Sequence, residues 1–273
     1  MRSAEGGSPH LARMGGMGDG SLTFAIPVRD PRGVDDWEAV KRLMSVTIAS
    51  LFNSAGPRPR VVIGASRGTD LPALPPDVEV AEVDLPYRPL PDGEGPRRWD
   101  AILVDKGLRL AHALAAGRPR GHVMVVDYDD LVSSRLTAWV AANPDAPGWF
   151  VDSGYLWDGG PTASVLRTGF NDLCGTSLVV RADLLRLCED PDDPARLDWI
   201  KTTLGSHKQW HGVFDLAALG FPGAVYRIGS GANVSGAIGQ GRRALRAARR
   251  PAEFVRHVRD LRPWGSIRRD FGA

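Results

Sequence analysis

His122-Val-Met-Val-Val-Asp127-Tyr128-Asp129-Asp130 is the stretch on which the reading of this chain turns. The apolar run Val123 to Val126 reads as a short buried strand. Three carboxylates follow within four positions. A buried strand ending in clustered carboxylates puts negative charge at the carboxyl edge of a sheet, where open α/β sheets bind their ligands. Such a cluster is costly without a cation among its oxygens. A hard divalent ion held by one or two carboxylates and by substrate phosphates would offset that cost. The competing reading is that Asp129 or Asp130 caps a helix beginning near Leu131. Capping needs one carboxylate, and here there are three.

Working outward, Leu22-Thr-Phe-Ala-Ile-Pro-Val28 reads as the first strand and ends in the turn Arg29-Asp30-Pro31-Arg32-Gly33. Asp35 or Asp36 can cap a helix to about Asn53, with Val40, Leu43, Met44 and Ile48 on one side. Arg60–Gly64 and Val78–Val83 follow as strands. Residues 84–98 form a Pro- and Gly-rich loop. A second helix over about Asp100 to Ala116 turns Leu103, Gly107, Leu110, Ala111 and Leu114 to the sheet. After the acidic stretch a helix is expected from Leu131 to Ala142. This order predicts an α/β fold: a mostly parallel twisted sheet flanked by helices, in a single domain. Beyond residue 145 the pattern changes. Trp149–Trp157 and Thr176–Arg181 read as strands, Ala182–Cys188 as a helix, and Glu189–Asp193 as an acidic loop. Leu197–Leu204 and Val213–Leu219 read as helices and Gly223–Ile228 as the last strand.

With 273 residues, 43% of them hydrophobic and 24% charged, the chain can bury a full core. No apolar run approaches the length of a membrane span. Residues 1–20, rich in Gly and Ser and holding Met14 and Met17, read as a disordered leader. Residues 21–240 are expected to form the domain and residues 241–273 a basic tail. The cysteines Cys174 and Cys188 show no metal or disulfide framework, which points to a reduced, cytoplasmic setting. The tail holds ten Arg against Glu253, Asp260 and Asp270, a balance of +7; with a net charge of +2, the remaining chain carries −5.

Five short motifs occur in sequence: Phe24-Ala-Ile-Pro-Val28, Asp105-Lys106-Gly107, Asp127-Tyr128-Asp129, Asp172-Leu-Cys-Gly175-Thr176-Ser177-Leu-Val-Val-Arg181, and Gly205-Ser206-His207-Lys208. In order and spacing, over about residues 22–230, they resemble glycosyltransferases of the GT-A fold, the sugar-nucleotide-dependent class with an Asp-x-Asp motif. The resemblance implies a GT-A-like (Rossmann-like) sheet, a nucleoside-diphosphate sugar donor, most simply UDP-linked, and Mn²⁺ or Mg²⁺. It implies that Pro27 and Val28 border the nucleobase pocket. Asp129 would be the direct metal ligand, with Asp127 facing ribose or sugar as well as metal, and His207 completing the metal site. Asp130 is an extra acid that leaves the pairing open. Physical chemistry agrees: transfer leaves extra negative charge on the departing diphosphate, and a divalent ion bridging both phosphates stabilises it.

The remaining candidates each have two readings. His207 suits a Mn²⁺ site built from carboxylate, imidazole and phosphate, or is a solvated histidine at a helix end. Lys208 can pair with the diphosphate as a point charge, or sit in solvent. Lys106 and Arg109 share a helical face and can reach phosphate or donor sugar, or form a surface pair with Asp105 bridging Arg109. Asp152 and Asp172 are candidates for acceptor contact or general base, with a turn role competing for Asp172. Trp149, Trp157 and Trp210 can stack on sugars or belong to the core. Two departures from the family pattern stand out. The loop Gly64–Asp70 carries only Asp70 as an acid, and no Glu-Asp base motif precedes His207. Nucleobase choice and stereochemistry therefore stay open, as does the acceptor.

A phosphohydrolase of the haloacid dehalogenase type would use Asp127 as nucleophile, but that motif normally opens its domain. A sugar-nucleotide-binding module without turnover is the non-enzymatic alternative. In the tail, Phe254, Val255, Val258 and Leu261 follow helical spacing, and the arginines suit docking on the acidic body or peripheral contact with an anionic membrane. Nucleic-acid binding is disfavoured, since the basic residues come with no reading motif.

Overall fold

Phe24 and Ile26 alternate with Ala25 along the first strand, and that alternation sets the layers of the fold. In a computed structural model, which describes residues 19–93, 95–185, 187, 190–207, 215–228 and 259–273, the strand is β1 (Leu22–Pro27) and all six of its residues are buried. Phe24 and Ile26 pack on one face with Val61, Ile63, Met124 and Val126, beneath α1 (Trp37–Phe52). Ala25 packs on the other with Val123, Val180 and Leu110 of α2 (Pro96–Gly117). Strands buried on both faces read as continuous apolar runs, as β1 and β2 (Arg60–Ser66) do.

The first sheet has seven strands in the order β10-β6-β9-β4-β1-β2-β3. Here β3 is Val78–Val83, β4 His122–Val125, β6 Gly148–Phe150, β9 Leu178–Arg181 and β10 Ala217–Ala218. Only β9 runs against the rest, pairing antiparallel with β4 and β6. The mostly parallel α/β sheet flanked by helices is therefore as expected. Asp36 caps α1 by accepting the Ala39 amide at 2.8 Å.

A second sheet, in the order β12-β8-β7-β11-β5, was not anticipated. It comprises β5 (Leu131–Val132), β7 (Ser153–Trp157), β8 (Ala163–Thr168), β11 (Ala224–Arg227) and β12 (Leu261–Pro263). One face, through Val132, Leu156, Val165 and Ala224, joins the main core; the other, through Leu131, Trp157 and Val225, packs on Trp264 and Phe271.

Several expectations change accordingly. Leu131 and Val132 form a strand, and the helix that follows, α3 (Leu136–Ala142), starts later and has no side-chain cap. Trp149–Trp157 divides between the two sheets. The helix expected from Ala182 is a 3₁₀ turn, Ala182–Leu185. Leu197–Trp199 is helical and continues as a π turn, Ile200–Leu204. Ala217 and Ala218 are strand, not helix. Leu261 lies on β12; Phe254, Val255 and Val258, like Lys208, Trp210 and Cys188, fall outside the described residues. No described helix is long and apolar enough to cross a membrane.

Candidate active site

The chain passes between the two sheets five times among the described residues, and three of those passages carry the candidate acids. β4 leaves the first sheet, turns through Asp127–Asp130 and enters the second as β5. β6 does the same through Val151 and Asp152. The return from β8 to β9 runs through the 3₁₀ turn Phe170–Asp172 and then Cys174-Gly175-Thr176. All three lie at the carboxyl edge of the parallel strands. Ala25 pairs with Val125, so Pro27 and Val28, both buried, end level with Asp127. The Val151 amide bonds the Ser177 carbonyl at 2.8 Å, which brings the Asp152 passage beside Thr176.

The turn itself is closed by the Asp130 amide donating to the Asp127 carbonyl at 3.0 Å. Tyr128 points inward, 7% exposed, and its carbonyl accepts from the Thr47 hydroxyl at 2.8 Å. The three carboxylates then diverge. Asp127 accepts from the Lys106 ammonium at 2.5 Å and keeps 32% of its side chain exposed. Asp130 is fully buried; its Oδ2 accepts from the Thr176 hydroxyl at 2.6 Å and the Cys174 thiol at 3.1 Å, and its Oδ1 from the Arg227 amide at 3.3 Å. Thr176 Oγ1 also accepts the Asp127 amide at 2.9 Å, so one hydroxyl ties the first and last acids together. Asp129, 6% exposed, has no side-chain partner among the described residues beyond its own amide.

The electrostatics follow from that geometry. Burial, then the charges of Asp130 and Asp127, push Asp129 well above the carboxylate range. Burial, then the charge of Asp127, pushes Asp130 up to about 7, against the pull of its three donors. Burial works against the charge of Lys106, but the negative groups around it, Asp127 foremost, together outweigh burial and raise the lysine. Burial and the two nearby acids hold the Cys174 thiol protonated, which keeps it a donor. Buried carboxylates crowded in this way retain protons unless a cation replaces them.

Lys106 and Arg109, expected to act together, go to different neighbours. Arg109 is 2% exposed; it forks onto Asp105 at 2.8 and 2.9 Å and donates to the Ser66 hydroxyl at 3.0 Å. α2 lies so close to β2 here that a Cβ on Gly64 would overlap the Arg109 carbonyl. Close approach recurs at Gly175, where a Cβ would stand 2.8 Å from Asp127 Oδ2 and 2.9 Å from Lys106 Nζ. Asp70, the single acid of the loop after β2, is paired with Lys41 at 2.7 Å.

Asp152 is half-buried and Asp172 exposed, the latter accepting from the Asn171 side-chain Nδ2 at 3.3 Å. His207 lines a narrow, largely apolar cleft with Lys106, Gly175, Leu178 and Leu204. Among the described residues no three His, Cys, Asp or Glu side chains converge as a metal shell, so Asp127, Asp129 and His207 do not form a closed protein site. The physical reason is visible at Asp127, which turns to Lys106. Trp149 and Trp157 are core, at 5% and 6% exposure.

Cys174, Thr176 and Arg227 belong to the site without having been singled out. Arg227 carries no local motif; its strand partner is the only reason it arrives here. Cys174 and Thr176 flank the Gly175 of a motif already noted, but their hydroxyl and thiol reach Asp130 only through the β8–β9 return.

No family profile and no curated protein matches the chain. Among solved structures it is similar to S. aureus TarS 1–349, at 14% identity and a TM-score of 0.42, over 76% of this chain and 60% of that one. The same protein in complex with UDP-GlcNAc gives 13% identity and a TM-score of 0.40, over 76% and 58%. This chain thus spans about 60% of the length of those structures, and at TM-scores below 0.5 nothing about activity carries over.

Proposed function

We propose that the chain is a glycosyltransferase that takes its sugar from a nucleoside diphosphate, most simply UDP-linked, with Mn²⁺ or Mg²⁺ at the acidic turn. The observation that supports this most is the Asp129 carboxylate: buried, without a side-chain partner among the described residues, and crowded by two further acids at the edge where such sheets bind ligands. One open carboxylate fits an ion that takes its other ligands from phosphate and water, not one held in an all-protein cage. Asp129 would hold that ion, with Asp130 adding charge from behind. When bound, the ion supplies positive charge for the departing nucleoside diphosphate.

The chain's own residues complete the reaction. Lys106, held beside Asp127, adds a second positive charge at the same edge. Pro27 and Val28 are buried level with the turn, so they would support a base site from beneath rather than line it. As the acceptor oxygen bonds the anomeric carbon, the bond from that carbon to the phosphate oxygen breaks. The acceptor proton would pass to a carboxylate, and Asp152 or Asp172, on the neighbouring passages, would take it. Exposed Arg259, Arg268 and Arg269 near the C-terminus suit acceptors carried on an anionic surface.

The test is a panel of sugar nucleotides assayed for hydrolysis and transfer, with Mn²⁺ or Mg²⁺ and with chelator. Turnover of at least one donor only in the presence of metal is expected. Binding without turnover for every donor would leave a non-catalytic module, and equal turnover in chelator would remove the ion from the proposal.

A further inference from the structure

We propose that Trp264 is a positioning residue for the acidic turn: from the C-terminal segment, stacked on Trp157, it holds Arg227 and the exit of the turn in place. The geometry is a ladder. Trp157 and Trp264 stack at 3.9 Å between ring centroids, 13° from parallel. The Arg227 guanidinium lies 4.6 Å over the Trp157 ring. A face already covered at 3.9 Å has no room for it, so arginine and Trp264 take opposite faces of Trp157. Arg227 and Trp157 are register partners on the parallel strands β11 and β7, which fixes both side chains on one side of the sheet. The Arg227 amide then donates to Asp130, and its charge acts on both Asp129 and Asp130.

A second set of contacts reaches the same turn from its other end. Leu131, the residue after Asp130, is fully buried in one cluster with Trp157, Val225, Trp264 and Phe271. Two residues on, the Asp270 carboxylate accepts from the Ser133 hydroxyl at 2.9 Å, the Ser134 amide at 3.0 Å and the Ser134 hydroxyl at 2.6 Å. The Ser134 amide also lies 2.8 Å from the Asp270 carbonyl. The segment is itself anchored, through β12 on β8 and the Trp264 amide on the Thr162 carbonyl at 3.0 Å. A turn that crowds three carboxylates gains from such bracing, since the hydrogen bonds to its carboxylates from other described residues come from Thr176, Cys174, Lys106 and the Arg227 amide. None of this depends on whether the site transfers a sugar.

Cys174 reports on the brace, because its buried thiol donates to Asp130 and becomes reactive only when the turn opens. In the full chain carrying Cys188→Ser, the rate of Cys174 alkylation is compared for wild type, Trp264→Ala, Trp264→Phe and the control Val62→Ala in the first sheet. Trp264→Ala is expected to speed labelling by about tenfold or more, as a local opening becomes easier. Trp264→Phe, which keeps a stacking ring, should stay close to wild type, and so should Val62→Ala despite its cavity. Labelling of folded Trp264→Ala at the wild-type rate, or equal acceleration by Val62→Ala, overturns the proposal. Should Trp264→Ala fail to fold, native-state hydrogen exchange of the unmutated chain decides. The Trp264 and Asp130 amides should open with the same free energy; exchange at Trp264 with Asp130 still protected overturns the proposal.

Discussion

Asp30 follows β1 and Asp129 follows β4, two neighbouring strands that end at one edge of the first sheet, yet their carboxylates are in opposite states. Both are nearly buried, at 7% and 6% exposure. Asp30 accepts from the Arg32 amide at 2.9 Å, from the Arg32 guanidinium at 2.9 and 2.8 Å and from the Ser66 hydroxyl at 2.9 Å. Those bonds, the Arg32 fork foremost, hold its carboxyl far below the usual range against the opposing effect of burial. Through Ser66 and Arg109 the same network reaches Asp105 on α2. Among the described residues Asp129 has no such donors beyond its own amide and is pushed the other way. Burial of an acid at a sheet edge therefore does not mark a ligand site. Burial with the acceptor capacity unspent is what the proposed donor site rests on.

The contrast is sharpest under substitution. Asp129→Ala is expected to weaken Mn²⁺-dependent UDP binding by on the order of 100-fold, the upper end for a disturbed metal site, while leaving the melting temperature unchanged or raised. Calorimetric titration beside thermal unfolding checks both halves; a loss of stability with unchanged affinity would make Asp129 a structural acid like Asp30. Asp30→Ala should do the reverse. It removes charge-assisted bonds, with an expected cost of about 1.5–3 kcal/mol in denaturant unfolding, and should leave metal-dependent UDP binding within a few-fold of wild type.

Acidity gives a smaller but directional contrast. The folded pKa of Asp30 lies below its unfolded value, so its stabilisation is present above the ordinary carboxylate range and is lost as pH falls. Asp129 and Asp130 are raised, Asp130 to about 7, so the folded metal-free chain binds protons more tightly than the unfolded one. Their contribution to stability therefore declines as pH rises from the ordinary carboxylate range to about 7. Asp130→Asn should flatten that decline and Asp30→Asn should not. Parallel unfolding curves of wild type and Asp130→Asn across this range would show that the pair is not crowded as described. The smallest effect is expected at the C-terminal arginines. Co-sedimentation of the full chain with anionic vesicles should fall as salt is raised, because exposed charges are screened; salt-independent sedimentation would point to an apolar contact instead.

Legibility in the sequence followed the range of the contacts involved. β1 to β4, α1 and α2 were readable because their periodicity is local and each is long enough to show it. The second sheet was not, since β5 has two residues and pairs with β11 about ninety positions away. Leu131–Ala142 read as one helix because an acid precedes an apolar run; Asp130 instead spends its oxygens on Thr176, Cys174 and the Arg227 amide, leaving no cap at that point. The acidic turn and its place at the sheet edge were visible from residue types alone. The pairing of Asp127 with Lys106 was only half visible, as a lysine on the right helix. Arg227 and the Trp157–Trp264 stack were invisible, because each exists only through pairing in the second sheet.

Anomalous diffraction at the manganese edge, from crystals grown with Mn²⁺ and UDP, puts the acidic turn to the plainest test. A manganese peak is expected within about 2.0–2.6 Å of an Asp129 oxygen, the span of metal–oxygen bonds for hard divalent ions, with the diphosphate on its far side and Asp30 still bonded to Arg32. Manganese and UDP bound away from Asp129, with its carboxylate still bare, would contradict the assignment of this turn as the donor site.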